Sequence, residues 1–393
     1  MTRSGGVLYL QYTNPACYPP LEHSSRILAE AGWEVLFLGT GAFLAGHIEF
    51  PAHPRITVRR LRFCPAGWRQ KLHYLGFCLW SLAWALRWRP RWIYASDPLA
   101  CPPALLLSGL TGAALAYHEH DSPNPPSAGA AKASLFLRLC YRARTACARR
   151  AALCVLPNER RADRFAAETR IREKPRVVWN CPAREEVAAP RESGRPGGLR
   201  LLYHGSIVPD RLPVTVVEAM ASLPSGVRLS IVGYETVGSL GHVDALRRRA
   251  EGLGLDGRLD ILGTVATRGE LLAICRRGDL GLCLLPGGSP DVNTRAMAGA
   301  SNKPFDYLAC GLPVLVPDLP DWREMFVEPG YALCCDPANP ASIVAAVGWF
   351  YEHPSEMRAM GERGRQRILR DWNYEAQFRP VLELLTSSNG RRG

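Results

Sequence analysis

The stretch SNKPFDYLACGLPVLVPD, Ser301 to Asp318, sets a lysine and an acid three residues apart in a short helical pattern that stops at Gly311 and runs into an apolar strand. The Lys303 ammonium there could meet a phosphate, with the N–H groups of the helix start beside it. Asp306, one turn in, could accept hydrogen bonds from both hydroxyls of a ribose. Ser301 or Asn302 would cap the helix. An acid in a first turn is also ordinary dipole complementarity, so Asp306 gains meaning only from its surroundings. Upstream, YHGSIVPDR places Gly205 after a strand pattern and Arg211 near the next helix, where a guanidinium can pair bidentately with phosphate oxygens. Taken alone, a solvated first-turn arginine reads the same way. The connection LLPGGSPDVNTRAMAGASNK is rich in Gly and Ser, so its backbone could approach a diphosphate closely. In AYHEHDSPNPP, residues 116–126, a strand pattern delivers His118, Glu119, His120 and Asp121, and alternation puts His118 and His120 on one face.

Strand and helix patterns alternate along the whole chain, as in parallel sheets with crossover helices. GVLYLQY, WEVLFLG and RWIYAS are strands of a first Rossmann-like domain; LRLLYHG, VRLSIVG, RLDILGT, LGLCLLPG and LPVLVPD are strands of a second. The Pro-, Gly- and charge-rich stretch between them marks an exposed linker. The expected layout is an α/β protein with a first domain at 1–185, a linker at 186–198 and a second domain at 199–373. A helical end, broken near Asp371 to Asn373, is expected to return to the first domain over 374–393. Ligands of such sheets bind beyond the carboxyl ends of the strands, which is where the residues above fall.

The 393 residues are 47% hydrophobic and 21% charged, as in folded soluble proteins. The net charge of +12 is lopsided: residues 1–195 hold 27 Lys and Arg against 14 Asp and Glu, a net +13, and the remainder is close to neutral. That favours an anionic partner for the first half, either a phospholipid surface or a phosphorylated acceptor. No zinc-finger spacing, RNP-like segment or basic heptad region is present, so a nucleic-acid partner is not expected. The thirteen cysteines are scattered in apolar runs without a C-x-x-C pair, which suits a reducing cytosol. No secretory signal or membrane-spanning run is seen, so the expected place is cytoplasmic, peripheral at most on the inner face of the plasma membrane. Trp80, Trp84 and Trp88 with Arg87, Arg89 and Arg91 suit either a helix in the headgroup region or one packed on its own sheet.

Together, NKPFDYLACGLPVLVPD, LLYHGSIVPDR, LSIVGYE, RLDILGTV and DLGLCLLP, in register, resemble the nucleotide-binding half of the retaining glycosyltransferases of family 4, which have the GT-B fold. LAEAGWEVLFL, RPRWIYASDPLA and CVLPNERRADRF followed by VVWNCP extend the resemblance into the first half. It implies two Rossmann-like domains about a cleft and transfer of a sugar from a nucleotide diphosphate to a hydroxyl of a glycan or lipid-linked acceptor, with retention. No metal and no cofactor are expected, the donor being UDP- or GDP-linked. On this resemblance Arg211 and Lys303 steady the diphosphate and Asp306 holds the ribose. Gly205 and Ser206 lie at the phosphates, and backbone at Gly233 and at Gly263, Thr264 and Val265 meets the base. His120 and Asp121, with His118 in reserve, lie beside the anomeric carbon, while Tyr12 and Asn14 help hold the acceptor.

The chain departs from the family twice. Ser206 stands where a second phosphate-binding cation is usual, and Ala298 where an acid usually meets the donor sugar. Either Asp291 or Asn293 replaces that acid, or the backbone N–H groups of Gly299, Ala300 and Ser301 serve, or activity is lost. A sugar-nucleotide epimerase of the same fold and a silent nucleotide-binding protein are therefore the rival readings. A dehydrogenase is disfavoured because no G-x-G-x-x-G follows the first strand.

Overall fold

The computed structural model describes residues 5–123, 135–190, 198–289 and 291–387. Residues 191–197 of the expected linker, 388–393 of the expected returning helix and the proline-rich end of the 116–126 stretch lie outside that set.

The chain divides into two compact units. The first comprises Met1–Asn180, Asp291–Ala300 and Tyr374–Gly393. Its sheet is parallel throughout and built from β1 (Gly6–Leu10), β2 (Glu34–Thr40), β3 (Ile56–Leu61), β4 (Trp92–Ser96), β5 (Ala114–His118), β6 (Leu153–Leu156) and β7 (Arg176–Val177). The strand order is β3-β2-β1-β4-β5-β6-β7. Runs such as VLYL and WIYAS are apolar without alternation because helices cover both faces of the sheet. On one side Leu8, Leu10, Ile93 and Ala95 pack against the helices Trp68–Trp88, Cys101–Thr111 and Leu135–Arg150. On the other, Val7, Tyr9, Phe37 and Tyr94 meet Leu21 and Leu28 of helix Pro19–Glu30 and Phe378, Val381 and Leu385 of helix Tyr374–Ser387.

The second unit comprises Cys181–Pro290 and Ser301–Asn373. Its parallel strands are β8 (Leu199–Ser206), β9 (Val227–Tyr234), β10 (Leu259–Gly263), β11 (Leu280–Leu282), β12 (Val314–Pro317) and β13 (Ala332–Cys335), in the order β10-β9-β8-β11-β12-β13. The order reverses between β1 and β4 in one sheet and between β8 and β11 in the other, and these switch points are where ligands bind in open α/β sheets. Helix Pro354–Arg370 ends before Trp372, and Asn373 caps it by donating its side-chain amide to the carbonyls of Ile368 and Leu369.

Two expectations change. Glu186 does not belong to an exposed linker: its carboxylate is 12% exposed and paired with Arg268 of the same unit. The polar, proline-rich composition around it hid a single structural acid. The segment Asp291–Ala300, expected to stay with the nucleotide half, groups with the first unit, because Arg161, Asn158 and Asn180 bind its carbonyls.

Candidate functional site

In the second unit the carboxyl ends of β8 and β9 lie side by side, with Gly205 opposite Gly233. Both need glycine. Gly205 has φ +108°, and a Cβ there would stand 3.0 Å from Lys303 Cε; Gly233 has φ +150°, and its Cβ would fall 1.8 Å from the Gly205 oxygen. The pair of glycines thus lets the Lys303 stem lie across the strand end. Its ammonium sits 5.5 Å from the centre of the Tyr203 ring. Ser206 follows, its carbonyl accepting from the Tyr203 hydroxyl, and the turn beyond it carries Arg211, whose own N–H bonds to the Val208 carbonyl. Gly263 ends β10 with φ +73°, and Thr264 and Val265 continue from it, half-buried.

Electrostatics single out the two cations. Among the described residues neither Arg211 nor Lys303 has a carboxylate partner within ion-pair distance. Burial and then the nearby Arg211 charge hold the Lys303 ammonium down at about 8 from 10.5. Ser301 occupies the N-cap position of helix Asn302–Ala309, but its side chain makes no capping bond and lies 3.9 Å from the Cys283 thiol. A partly neutralised ammonium, a guanidinium and an uncapped helix start form a place short of negative charge.

Asp306 stands differently from its expectation as an open acid. It is 1% exposed, and its two oxygens accept from Arg268 at 2.7 and 3.3 Å. Arg268 also takes Glu186, with Nη2 3.0 Å from Oε2. The guanidinium therefore joins two carboxylates in one buried fork. His204 Nε2 is 3.5 Å from Asp306, and burial followed by the charges of Lys303 and Arg268 keeps that imidazole neutral. Sequence reasoning missed Arg268 and Glu186; Arg268 directly after Thr267, a side-chain helix cap, was the available signal.

In the first unit Asp97 lies at the switch point, in backbone of positive φ (66°). One carboxylate oxygen accepts from the N–H of His120 at 2.8 Å and of Asp121 at 3.3 Å, the other from the Gln11 amide at 3.3 Å. Burial, and then the Asp121 charge, raise this acid to about 7. Asp97 was also missed, although SDP directly after a strand marked it. His118 and His120 lie on one face with ring centres 3.9 Å apart. His118 is fully buried with Nδ1 2.8 Å from the Tyr94 hydroxyl, whereas neither ring nitrogen of His120 has a partner among the described residues. Burial and the Arg161 charge lower His120 to about 3, so it is a neutral acceptor at ordinary pH. Asp121 is open, 3.6 Å from Arg161.

Several candidates are held by bonds to the framework. Glu119 is turned inward and bound by Arg144, Tyr117 and Ser122, completing a buried network that a strand-end position does not reveal. Asn14 is wholly buried, and its amide holds the carbonyls of Ala45 and Ile48. Tyr12 bonds His73 Nδ1 at 2.8 Å and packs on Tyr74 and Phe77. Asn293 spends both ends of its amide on the Ser122 backbone, and Asp291 caps the turn Val292–Arg295. The Ala300 N–H donates to Met297, and the Gly299 and Ala300 carbonyls accept from Asn180. The replacements expected for the acid at Ala298 are therefore already engaged, apart from the Gly299 and Ser301 amides.

Residues 21–181 match the family model described as glycosyl transferase 4-like domain, and residues 214–383 match one described as glycosyl transferase-like. No curated protein matches the chain in sequence. Among solved structures, Anabaena HepE in complex with UDP is 17% identical with a TM-score of 0.69, covering 97% of this chain and 100% of its own. Sucrose-phosphate synthase from Thermosynechococcus elongatus is 16% identical with a TM-score of 0.72, covering 98% and 99%. A glycosyltransferase from Rickettsia africae is 11% identical at 0.70, covering 99% and 100%. The two sheets and the two family matches agree: the chain belongs to the glycosyltransferases of the family-4 type and has the GT-B fold.

Proposed function

We propose that the chain transfers a sugar from a UDP-linked donor to a hydroxyl of a glycan or lipid-linked acceptor, with retention and without a metal. The observation that carries this is the pair Lys303 and Arg211, two neighbouring cations with no carboxylate partner among the described residues. A diphosphate placed on them supplies the missing charge and raises the Lys303 ammonium back towards its ordinary range. The same cations then stabilise the charge that builds on the departing diphosphate as the glycosidic bond breaks. Base contacts fall to the backbone at Gly233 and Gly263 to Val265, while Asp306, enclosed and paired with Arg268, supports the helix that carries Lys303. His120, a neutral imidazole with unpartnered nitrogens, and the exposed Asp121 serve the acceptor and sugar side. UDP is favoured over GDP because HepE was solved with UDP and with UDP-glucose on the same fold. Thirteen thiols, none in a disulfide, support a cytoplasmic place of work.

Calorimetric titration with UDP, GDP, ADP and TDP tests the reading. UDP is expected to bind wild type and to lose affinity in Arg211→Ala and Asp306→Asn. Failure of all four nucleotides to bind would overturn the site assignment, whereas UDP binding without transfer to any acceptor would favour the silent nucleotide-binding protein that Ala298 and Ser206 suggest. Turnover of a donor without acceptor to an epimeric nucleotide sugar would favour the epimerase.

A further inference from the structure

Helix Trp68–Trp88 contains no acidic residue in its 21 positions, and helices Cys101–Thr111 and Leu135–Arg150 contain none either. All three cover the same side of the first sheet. The tryptophans 80, 84 and 88 turn inward onto that core, which decides between the two sequence expectations for them. What points outward is a leucine stripe: Leu72, Leu75, Leu79 and Leu86 are 51–60% exposed, at the spacing of one helix face, with Trp68 at its start. Leu106 and Leu110 on the second helix and Leu135 and Leu139 on the third are exposed as well. Tyr74 stacks edge-on against Phe136 at 5.3 Å and donates to the Leu99 carbonyl, which brings the starts of the first and third helices together. Ten of the sixteen exposed large apolar side chains of the described residues lie on these helices, so this is a patch and not scatter.

The same surface is basic. Arg69, Lys71, Arg87, Arg89, Arg138 and Arg142 are exposed around the leucines, and no ion pair among the described residues engages them. A second copy docked face to face would set arginine against arginine with no acid on either face to answer. No helix of the described residues is long and apolar enough to cross a membrane.

We propose that this face docks on an anionic lipid bilayer, with the leucines at the acyl boundary and the arginines and Lys71 at the headgroup phosphates. The proposal is independent of the nucleotide site. It is tested by flotation of the full chain with vesicles of phosphatidylcholine alone or mixed with phosphatidylglycerol. Wild type should float with the mixed vesicles, little with the neutral ones, and less as salt rises. Leu75→Asp with Leu79→Asp should lower the partition by roughly tenfold or more. Arg69→Ala with Lys71→Ala should lower it about 25-fold, at about fivefold per cation. Both pairs are exposed, so thermal melting should stay near wild type. Wild type that does not float with anionic vesicles, or floats equally with neutral ones, overturns the proposal. So does a solution dimer by sedimentation equilibrium that the leucine variant dissociates while vesicle binding stays unchanged.

Discussion

Replacing Lys303 by methionine keeps the apolar stem as far as Cε, and with it the contact on Gly205, while removing the charge. In the protein without donor, burial and the Arg211 charge depress the ammonium from 10.5 to about 8. A shift of that size disfavours the charged form by on the order of 3 kcal/mol, and solvent reaching this half-buried group trims the effect to about 1–2 kcal/mol. Because the folded pKa lies below the unfolded one, the unfolded chain holds more protons between about pH 8 and 10.5. Wild-type stability therefore rises with pH across that window, and the charge weighs fully on the fold below it. At pH 7 Lys303→Met should accordingly raise the melting temperature by roughly 2–6 °C. It should weaken UDP by roughly 10- to 100-fold, the worth of one charge-assisted phosphate contact.

Proton linkage gives the sharper assay. At pH 8 about half of the Lys303 side chains are neutral, so a ligand that demands the ammonium takes up about half a proton on binding. Titrations in buffers of different ionisation enthalpy should show that uptake at pH 8, almost none at pH 6, and none from this group in Lys303→Met. A wild-type uptake of zero at pH 8, or one that persists in the variant, refutes the argument. So does a Lys303→Met protein that melts below wild type and binds UDP as well.

Arg268→Ala leaves Asp306 and Glu186 together without their cation and should lower stability by about 3–5 kcal/mol, read by denaturant unfolding. Asp97→Asn should flatten the pH dependence of melting: the folded pKa of about 7 stands above 3.8, so the folded chain binds the extra proton and wild-type stability falls as pH rises between those values. Gly205→Ala, strained at φ +108° and pressed on the Lys303 stem, should cost about 1–2 kcal/mol in unfolding experiments and weaken UDP in calorimetry.

The alternation of strands and helices, the two Rossmann-like sheets and the strand-end positions of Gly205, Arg211 and Lys303 were legible in the sequence, because apolar runs and turn glycines are local signals. What was not legible depends on which way a side chain turns. Nothing local separates His120, left with open ring nitrogens, from Asn14, whose amide is consumed by a loop 31 and 34 residues on. Glu119 and His120 are neighbours in sequence, yet one closes a buried network with Arg144 and the other faces Tyr18. Arg268 meets Glu186 across 82 residues, a pairing that spacing cannot announce. The exposed leucines were hidden for the opposite reason: the tryptophans drew attention to the face that the core takes.

The contrast among the cations carries the functional argument furthest. Arg144 is met by Glu119 and Glu168, and Arg268 by Asp306 and Glu186. Arg161 donates to the carbonyls of His120, Asn293 and Ala296. Where this chain encloses a guanidinium for structure, it supplies the acceptor from within the same unit. Among the described residues no carboxylate stands within ion-pair distance of Lys303 or Arg211, and the fold bears the repulsion between them. On the proposed function a bound diphosphate relieves that deficit, and the value of the pair lies in being set before the reaction, so that no reorganisation is needed as the diphosphate departs. On the proposed function, with Ser206 and Ala298 each lacking a usual contact, more of the donor's binding would fall on this pair than where four side chains share it. Lys303→Met should therefore abolish detectable transfer even at donor concentrations that restore occupancy, and recovery of wild-type turnover at saturation would show that the pair binds the donor without assisting its departure.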